Sequence, residues 1–218
     1  IKKSADKLVK REVNKIRDLV NKELKSESRN ERNFREAMVE FYTNKFPGEI
    51  KKEMIPVIMD LADAVAREAA KEADLKDYSI DEFFNEYITA MSERYAGYSR
   101  GQLLALMDEA DELDEAIEYV EQRLVEWEEK KAESIATEQA VKTEGAITRN
   151  IYTIAGVTKL VWIANANCCE ICQELDGKVV GIEQTFINEG DQISTFTAGG
   201  AKLHPPLHDK CECSIGLA

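Results

Sequence analysis

Every cysteine and both histidines of this chain lie after residue 167. They form two tight clusters, Cys168-Cys169-Glu170-Ile171-Cys172 and His204-Pro205-Pro206-Leu207-His208-Asp209-Lys210-Cys211-Glu212-Cys213. Soft ligands gathered in two short segments, with none elsewhere, point to a local cross-link made by a metal or by disulfides. Zinc favours four tetrahedral thiolate or imidazole ligands, often supplied as short-spaced pairs from separate turns. Cys169-x-x-Cys172 is one such pair. His208-x-x-Cys211 or Cys211-x-Cys213, after 35 intervening residues, is the other. Reduced thiols or one or two disulfides are the competing account. No signal peptide is visible, although the chain opens at Ile1, and disulfides are rare in a reducing compartment. The expectation is therefore one structural zinc, held by four of Cys169, Cys172, His208, Cys211 and Cys213. Cys168, next to Cys169, suits packing better than ligation, and His204 is expected to be a loop histidine.

Composition narrows the class. Charged residues make up 33% of the 218 and hydrophobic ones 44%, which fits a soluble chain of helical bias. No apolar run reaches transmembrane length, so no membrane partner is expected. The net charge of −13 is unevenly spread. Residues 1–52 carry 15 Lys and Arg against 9 Asp and Glu, whereas residues 53–150 carry 10 against 25. A basic front would meet nucleic acid or an acidic protein, unless it is the solvated face of amphipathic helices.

Hydrophobic periodicity sets out the organisation. Leu8, Val9, Val13, Ile16 and Leu19 recur at helical spacing and predict a helix over 2–26. Phe34, Met38 and Phe41 predict a second over 30–45, which Pro47-Gly48 should break. A third should reach about 74, with Pro56 kinking it or marking its first turn. Ser79-Ile80-Asp81-Glu82 reads as the cap of a fourth, and Ser99 with Gln102 as the capping box of a fifth. Leu103, Leu106, Ala110, Leu113, Ile117, Val120, Leu124 and Trp127 then form a heptad stripe with acidic flanks. Packing within the chain is expected for residues 103–120 of that stripe, because the basic helix 2–26 complements the acidic flanks. Helix should continue to about 155, with Gly145 as a weak point, and Gly156 should end it. Residues 159–164 read as a buried strand, and 178–180 as a second after the Asp176-Gly177 turn. Residues 188–206 read as a long loop. The expected fold class is mainly α with a small C-terminal α+β module. The helical body is 1–155 (divided at 98/99), and the Cys/His-rich module is 156–218.

The sequence lacks HExxH, GxSxG and GxxxxGK[ST] motifs. Cysteines clustered around His208 fit a closed structural site better than a nucleophile–base pair. No enzymatic activity is expected.

The stretch from about 99 to 213 resembles the head-morphogenesis, or minor head, protein family of tailed bacteriophages (Mu-F-like). The resemblance is carried by Ser99-Arg100-Gly101-Gln102-Leu103, Arg123-Leu124-Val125-Glu126-Trp127 and Lys131-Ala132-Glu133-Ser134-Ile135-Ala136-Thr137-Glu138. Trp162, Cys169-x-x-Cys172, Leu175-Asp176-Gly177 and Pro205-Pro206-Leu207-His208-x-x-Cys211-x-Cys213 follow in order. Two positions depart from the family pattern: Lys131 stands where an arginine is usual, and Glu212 where the last motif reads CRC. The resemblance implies a minor capsid protein present in few copies inside the head. It would bind the portal protein and other capsid components and act in head assembly or DNA delivery, after assembly in the host cytoplasm. Packaged DNA is a further expected partner, through the basic N-terminal helix. A zinc-dependent nucleic-acid-binding or processing protein is the alternative.

Overall fold

The computed structural model describes residues 1–218. The chain is mainly α, with a small strand-containing region at its C-terminal end. The helices are α1 (Lys2–Leu19), α2 (Glu31–Glu40), α3 (Phe46–Glu72), α4 (Asp81–Glu109), α5 (Leu113–Glu126), α6 (Ala132–Ile154) and the single turn α7 (Glu170–Gln173). Three five-residue π-helical turns extend or join them: Val20–Leu24 after α1, Phe41–Lys45 between α2 and α3, and Trp127–Lys131 between α5 and α6. The strands are β1 (Lys159–Ile163), β2 (Val179–Gly181), β3 (Gln192–Ile193), β4 (Phe196–Thr197) and β5 (Ser214–Leu217).

Two compact units emerge, one of residues Ile1–Val57 and Asn85–Ile135, the other of Ile58–Phe84 and Ala136–Ala218. The boundary expected at 155 thus falls inside the second unit. That expectation followed the switch from helix to strand, but α6 and the strands bond to each other. Arg149 of α6 donates to the Ile182 carbonyl beyond β2.

In the first unit α1 buries Ala5, Leu8, Val9, Val13, Ile16 and Leu19 along one face. Its basic side is complemented within the unit. Arg17 forms a two-bonded pair with Glu128 at 3.1 and 3.0 Å. Lys2 meets Glu133, Lys25 meets Glu121, and Arg29 meets Asp114. The intrachain pairing expected for the acidic stripe is what the fold shows. The stripe itself is not one helix: Ala110–Glu112 separates α4 from α5, and the Glu115 carboxylate reaches back to accept from the Asp111 N–H. That local bond holds the turn just before a new helix where the heptad pattern alone suggests continuity.

Two further start and stop signals fail, each for a tertiary or register reason. Ser99 does not open a helix; α4 runs through it, and its hydroxyl is fully buried against Lys131. Pro47-Gly48 does not break the chain between α2 and α3. The π-helical turn Phe41–Lys45 ends just before it, so the missing proline N–H falls where the regular ladder is already interrupted. Pro56 lies inside α3 rather than in its first turn.

A polar centre crosses this apolar unit. Glu12 is fully buried on α1, between Leu8 and Ile16 on the same face. Its carboxylate accepts from Tyr42 Oη at 3.0 Å, Tyr95 Oη at 2.8 Å, and Lys131 Nζ at 2.9 Å to both oxygens. Lys131 also donates to Ser99 Oγ at 2.8 Å and lies over the rings of Trp127 and Tyr95. Two of the π-helical turns supply Tyr42, Trp127 and Lys131, which fits the use of such turns to re-aim side chains. Burial pulls the Lys131 ammonium down to about 8, against the attraction of Glu12. Burial likewise raises the Tyr42 and Tyr95 phenols well above their usual value, with Glu12 adding to the effect.

In the second unit a Schellman-type cap ends α6. Gly156 takes φ +74°, and the Val157 N–H donates to the Tyr152 carbonyl at 3.0 Å. Strand β1 then lies at the centre of a three-stranded antiparallel sheet of order β2-β1-β5. Leu160 and Trp162 point into the core from its buried face, and Trp162 meets the Phe186 ring edge to face. Gly145 does not weaken α6. A Cβ there would lie 2.5 Å from His204 Nδ1, so the glycine is what lets the imidazole pack against the helix. The long loop contains the β3–β4 hairpin, and the chain returns through β5, both short elements with little periodic signal.

Candidate metal centre

The two sequence clusters reach one place by different routes. Cys169 sits at the N-cap of the short turn α7, and Cys172 three residues later is buried on its inner side. Asp176 holds the entry to this segment, accepting from the Ala164 N–H at 2.9 Å just after β1. From the other side, the loop after Leu207 brings in His208, and Cys211 and Cys213 follow on the approach to β5, both buried.

The ligand atoms fall into two groups that share Cys172. Cys169, Cys172 and His208 form one, and Cys172, Cys211 and Cys213 the other, with all atoms of each group within 4.8 Å of one another. His208 Nε2 lies 3.1 Å from Cys169 Sγ and 3.3 Å from Cys172 Sγ, and Cys172 Sγ lies 3.7 Å from Cys211 Sγ. Metal–sulfur bonds of about 2.3 Å in a regular tetrahedron set sulfurs about 3.8 Å apart, so the last separation matches two thiolates on one zinc. All five cysteines are free thiols, and 3.7 Å is far beyond a disulfide bond.

The imidazole is aimed. His208 Nδ1 lies 2.7 Å from the Asp209 carbonyl oxygen, which can only accept. The proton therefore sits on Nδ1, and the Nε2 lone pair faces the thiols, the arrangement a metal-ligating histidine takes. The Phe196 ring packs near the same imidazole, with centroids 6.5 Å apart.

Two of the thiols, Cys172 and Cys213, resist ionisation. Burial pushes Cys172 far above the usual thiol range, and the neighbouring Cys211 and Cys213 add to it. Cys213 is also raised, by burial first, against a hydrogen bond from the Asn165 backbone. At Cys169 burial acts upward too, but the hydrogen bonds from the Cys172 backbone and side chain act downward and this thiol lies below its ordinary value. A divalent ion reverses this balance, because it stabilises thiolates directly. Beside the cluster lies a cleft of about 260 Å³, bordered by Asn165, Cys168, Cys169, Cys172 and Lys210.

The structure thus brings together all five residues expected as metal ligands and leaves Cys168 and His204 outside the two groups. His204 instead donates from Nδ1 to the Pro205 carbonyl. Sequence reasoning did not reach the Asp209 carbonyl that orients His208, because backbone groups carry no residue signal. It also missed Glu12 and Lys131, although an acid at the Leu8–Ile16 midpoint of an apolar stripe was a legible sign of a buried partner. No model of a known protein family matches the chain, and comparison with curated proteins and with solved structures likewise finds no match.

Proposed function

We propose that this protein is a structural, non-enzymatic minor component of a tailed-phage or prophage head, docked near the portal inside the capsid. What supports the reading is the ordered run of motifs from Ser99 to Cys213, whose Cys169 and His208 members, 39 residues apart, meet in one cluster. A helical body suits docking against a larger assembly. A Cys/His staple gives a small module rigidity where its apolar core is thin. In this reading one zinc is held by Cys169, Cys172 and His208, with Cys211 or Cys213 as the fourth ligand, and its role is structural.

Co-expression with the portal protein of the same phage or prophage tests the assembly role. The expected result is co-elution with the portal oligomer on sizing chromatography, and a chain that stays apart from it overturns the reading. Elemental analysis of protein purified without chelator tests the metal. About one zinc per chain is expected, and near-zero metal with an intact fold would refute it.

A zinc-dependent nucleic-acid-binding protein is the second reading, favoured by the basic front. Most of that charge is already engaged. Lys2, Lys7, Arg11, Arg17, Lys22, Lys25, Arg29, Arg32, Arg35 and Lys45 pair with carboxylates. Lys3, Lys10, Lys15, Lys51 and Lys52 are left for phosphate, so DNA contact in this proposal is an accessory, salt-sensitive property.

A further inference from the structure

A groove of about 470 Å³ lies in the second unit, between the later part of α3, α6 and strand β5. Its walls combine two chemistries. Ala64, Val65 and Ala69 of α3 and Ile163 of β1 line it with apolar surface, and Ile163 is 44% exposed. Glu68 and Glu72 of α3 and Glu144 of α6 add three carboxylates, that of Glu144 partly desolvated. Tyr152 Oη donates to Glu72 and holds it in place. No lysine or arginine of the chain forms an ion pair with any of the three; the pairs that exist engage other acids.

A further observation points to an occupant. Strand β5 is an edge of the sheet, bonded only to β1, and its Ser214, Ile215 and Gly216 line the same groove. Its outward N–H and C=O groups form a template for one more strand. Gly216 leaves room on the sheet face for the Ile163 side chain: a Cβ there would come 2.8 Å from Ile163 Cδ1.

We propose that this groove binds an extended segment of a partner protein in which lysine or arginine alternates with apolar residues. The segment adds as a strand to the free edge of β5, its apolar side chains rest on Ile163 and Val65, and its cations meet Glu68, Glu72 and Glu144. Backbone pairing supplies affinity and the alternate side chains supply selectivity, as in other strand-addition complexes. Burial raises the Glu144 carboxyl above its usual value, and an incoming cation opposes that shift. The proposal does not depend on the head-protein reading, since it concerns a surface that neither zinc nor the family motifs touch.

The test uses the full chain and a fluorescein-labelled peptide that alternates lysine and valine, with a glutamate–valine peptide as control. Fluorescence anisotropy should show binding of the cationic peptide alone. Combined Glu68→Gln, Glu72→Gln and Glu144→Gln should weaken it about tenfold or more while leaving the melting temperature unchanged. Methylating alternate peptide amides on one edge should weaken binding to a similar degree, and amide NMR shifts should centre on Ser214–Leu217. Equal binding to the triple variant, shifts centred elsewhere, or no binding overturns the proposal. Self-association of the wild type that the triple variant abolishes and the peptide does not displace would assign the groove to a second copy, and would also overturn it.

Discussion

Each unit buries a polar cluster, and the two clusters are satisfied in opposite ways. In the first unit the charge is balanced internally. Glu12 accepts four bonds from Tyr42, Tyr95 and Lys131, and Lys131 in turn meets Ser99 and two aromatic faces. In the second unit Cys172, Cys211, Cys213, Cys169 and His208 face one another, with three of the five buried and no cationic side chain among them. A closed ion pair needs nothing from outside. A set of thiols around an aimed imidazole lone pair is a donor set compatible with a metal ion. Buried polarity is thus paired off within a large apolar core in one unit, and gathers groups within metal-binding distance in the other.

The two tryptophans allow that contrast to be tested separately, since Trp127 reports the first unit and Trp162 the second. The largest effect is expected from Cys172→Ser, because Cys172 belongs to both ligand groups. The variant should not retain the proposed zinc, and Trp162 emission should shift red as the β2-β1-β5 region loosens, while Trp127 in a Trp162→Phe background stays buried. Cys168→Ser, outside both groups, should change neither. If Cys172→Ser exposes both tryptophans, the units share one cooperative core and the contrast fails.

Next in size is Lys131→Met. It leaves the Glu12 carboxylate buried without its cation and should cost about 3–5 kcal/mol in urea unfolding. Adding Glu12→Gln should recover most of that loss, because the pair, rather than either member, is what the core accommodates. A double variant as unstable as the single would show that Lys131 acts through packing on Trp127 instead.

The smallest expected effect is a pH dependence. Burial holds Lys131 at about 8 in the folded chain, against an ordinary value of 10.5. Between those values the unfolded chain carries the proton that the folded chain has released, so this group adds stability as pH rises. From pH 7.5 to 9.5 the gain should be on the order of 1 kcal/mol in wild type and absent in Lys131→Met. Above pH 10 the raised Tyr42 and Tyr95 phenols act the other way, since the unfolded chain loses those protons first. A wild-type stability that falls steadily from pH 7.5 would show that the Lys131–Glu12 attraction outweighs burial.

Local pattern alone determined much of this protein. The apolar faces of α1 and α2, the left-handed turns at Gly156 and Gly177, strand β1 and the gathering of metal-type ligands after residue 167 are all legible. Each depends on groups a few residues apart, where spacing maps directly onto a helix face, a strand face or a turn. What tertiary structure decided involves partners far along the chain. Lys131 meets Glu12 across 119 residues, and that contact turned Ser99 from an expected cap into a buried acceptor. The break at Ala110–Glu112 and the uninterrupted passage past Pro47 depend on a back-reaching Glu115 and a π-helical turn, which heptad spacing does not encode. The division into units follows the same logic. Residues 58–84 and 136–154 join the Cys/His region in space although helical periodicity groups them with the other helices, because burial is decided by which surfaces meet and not by the period of either one.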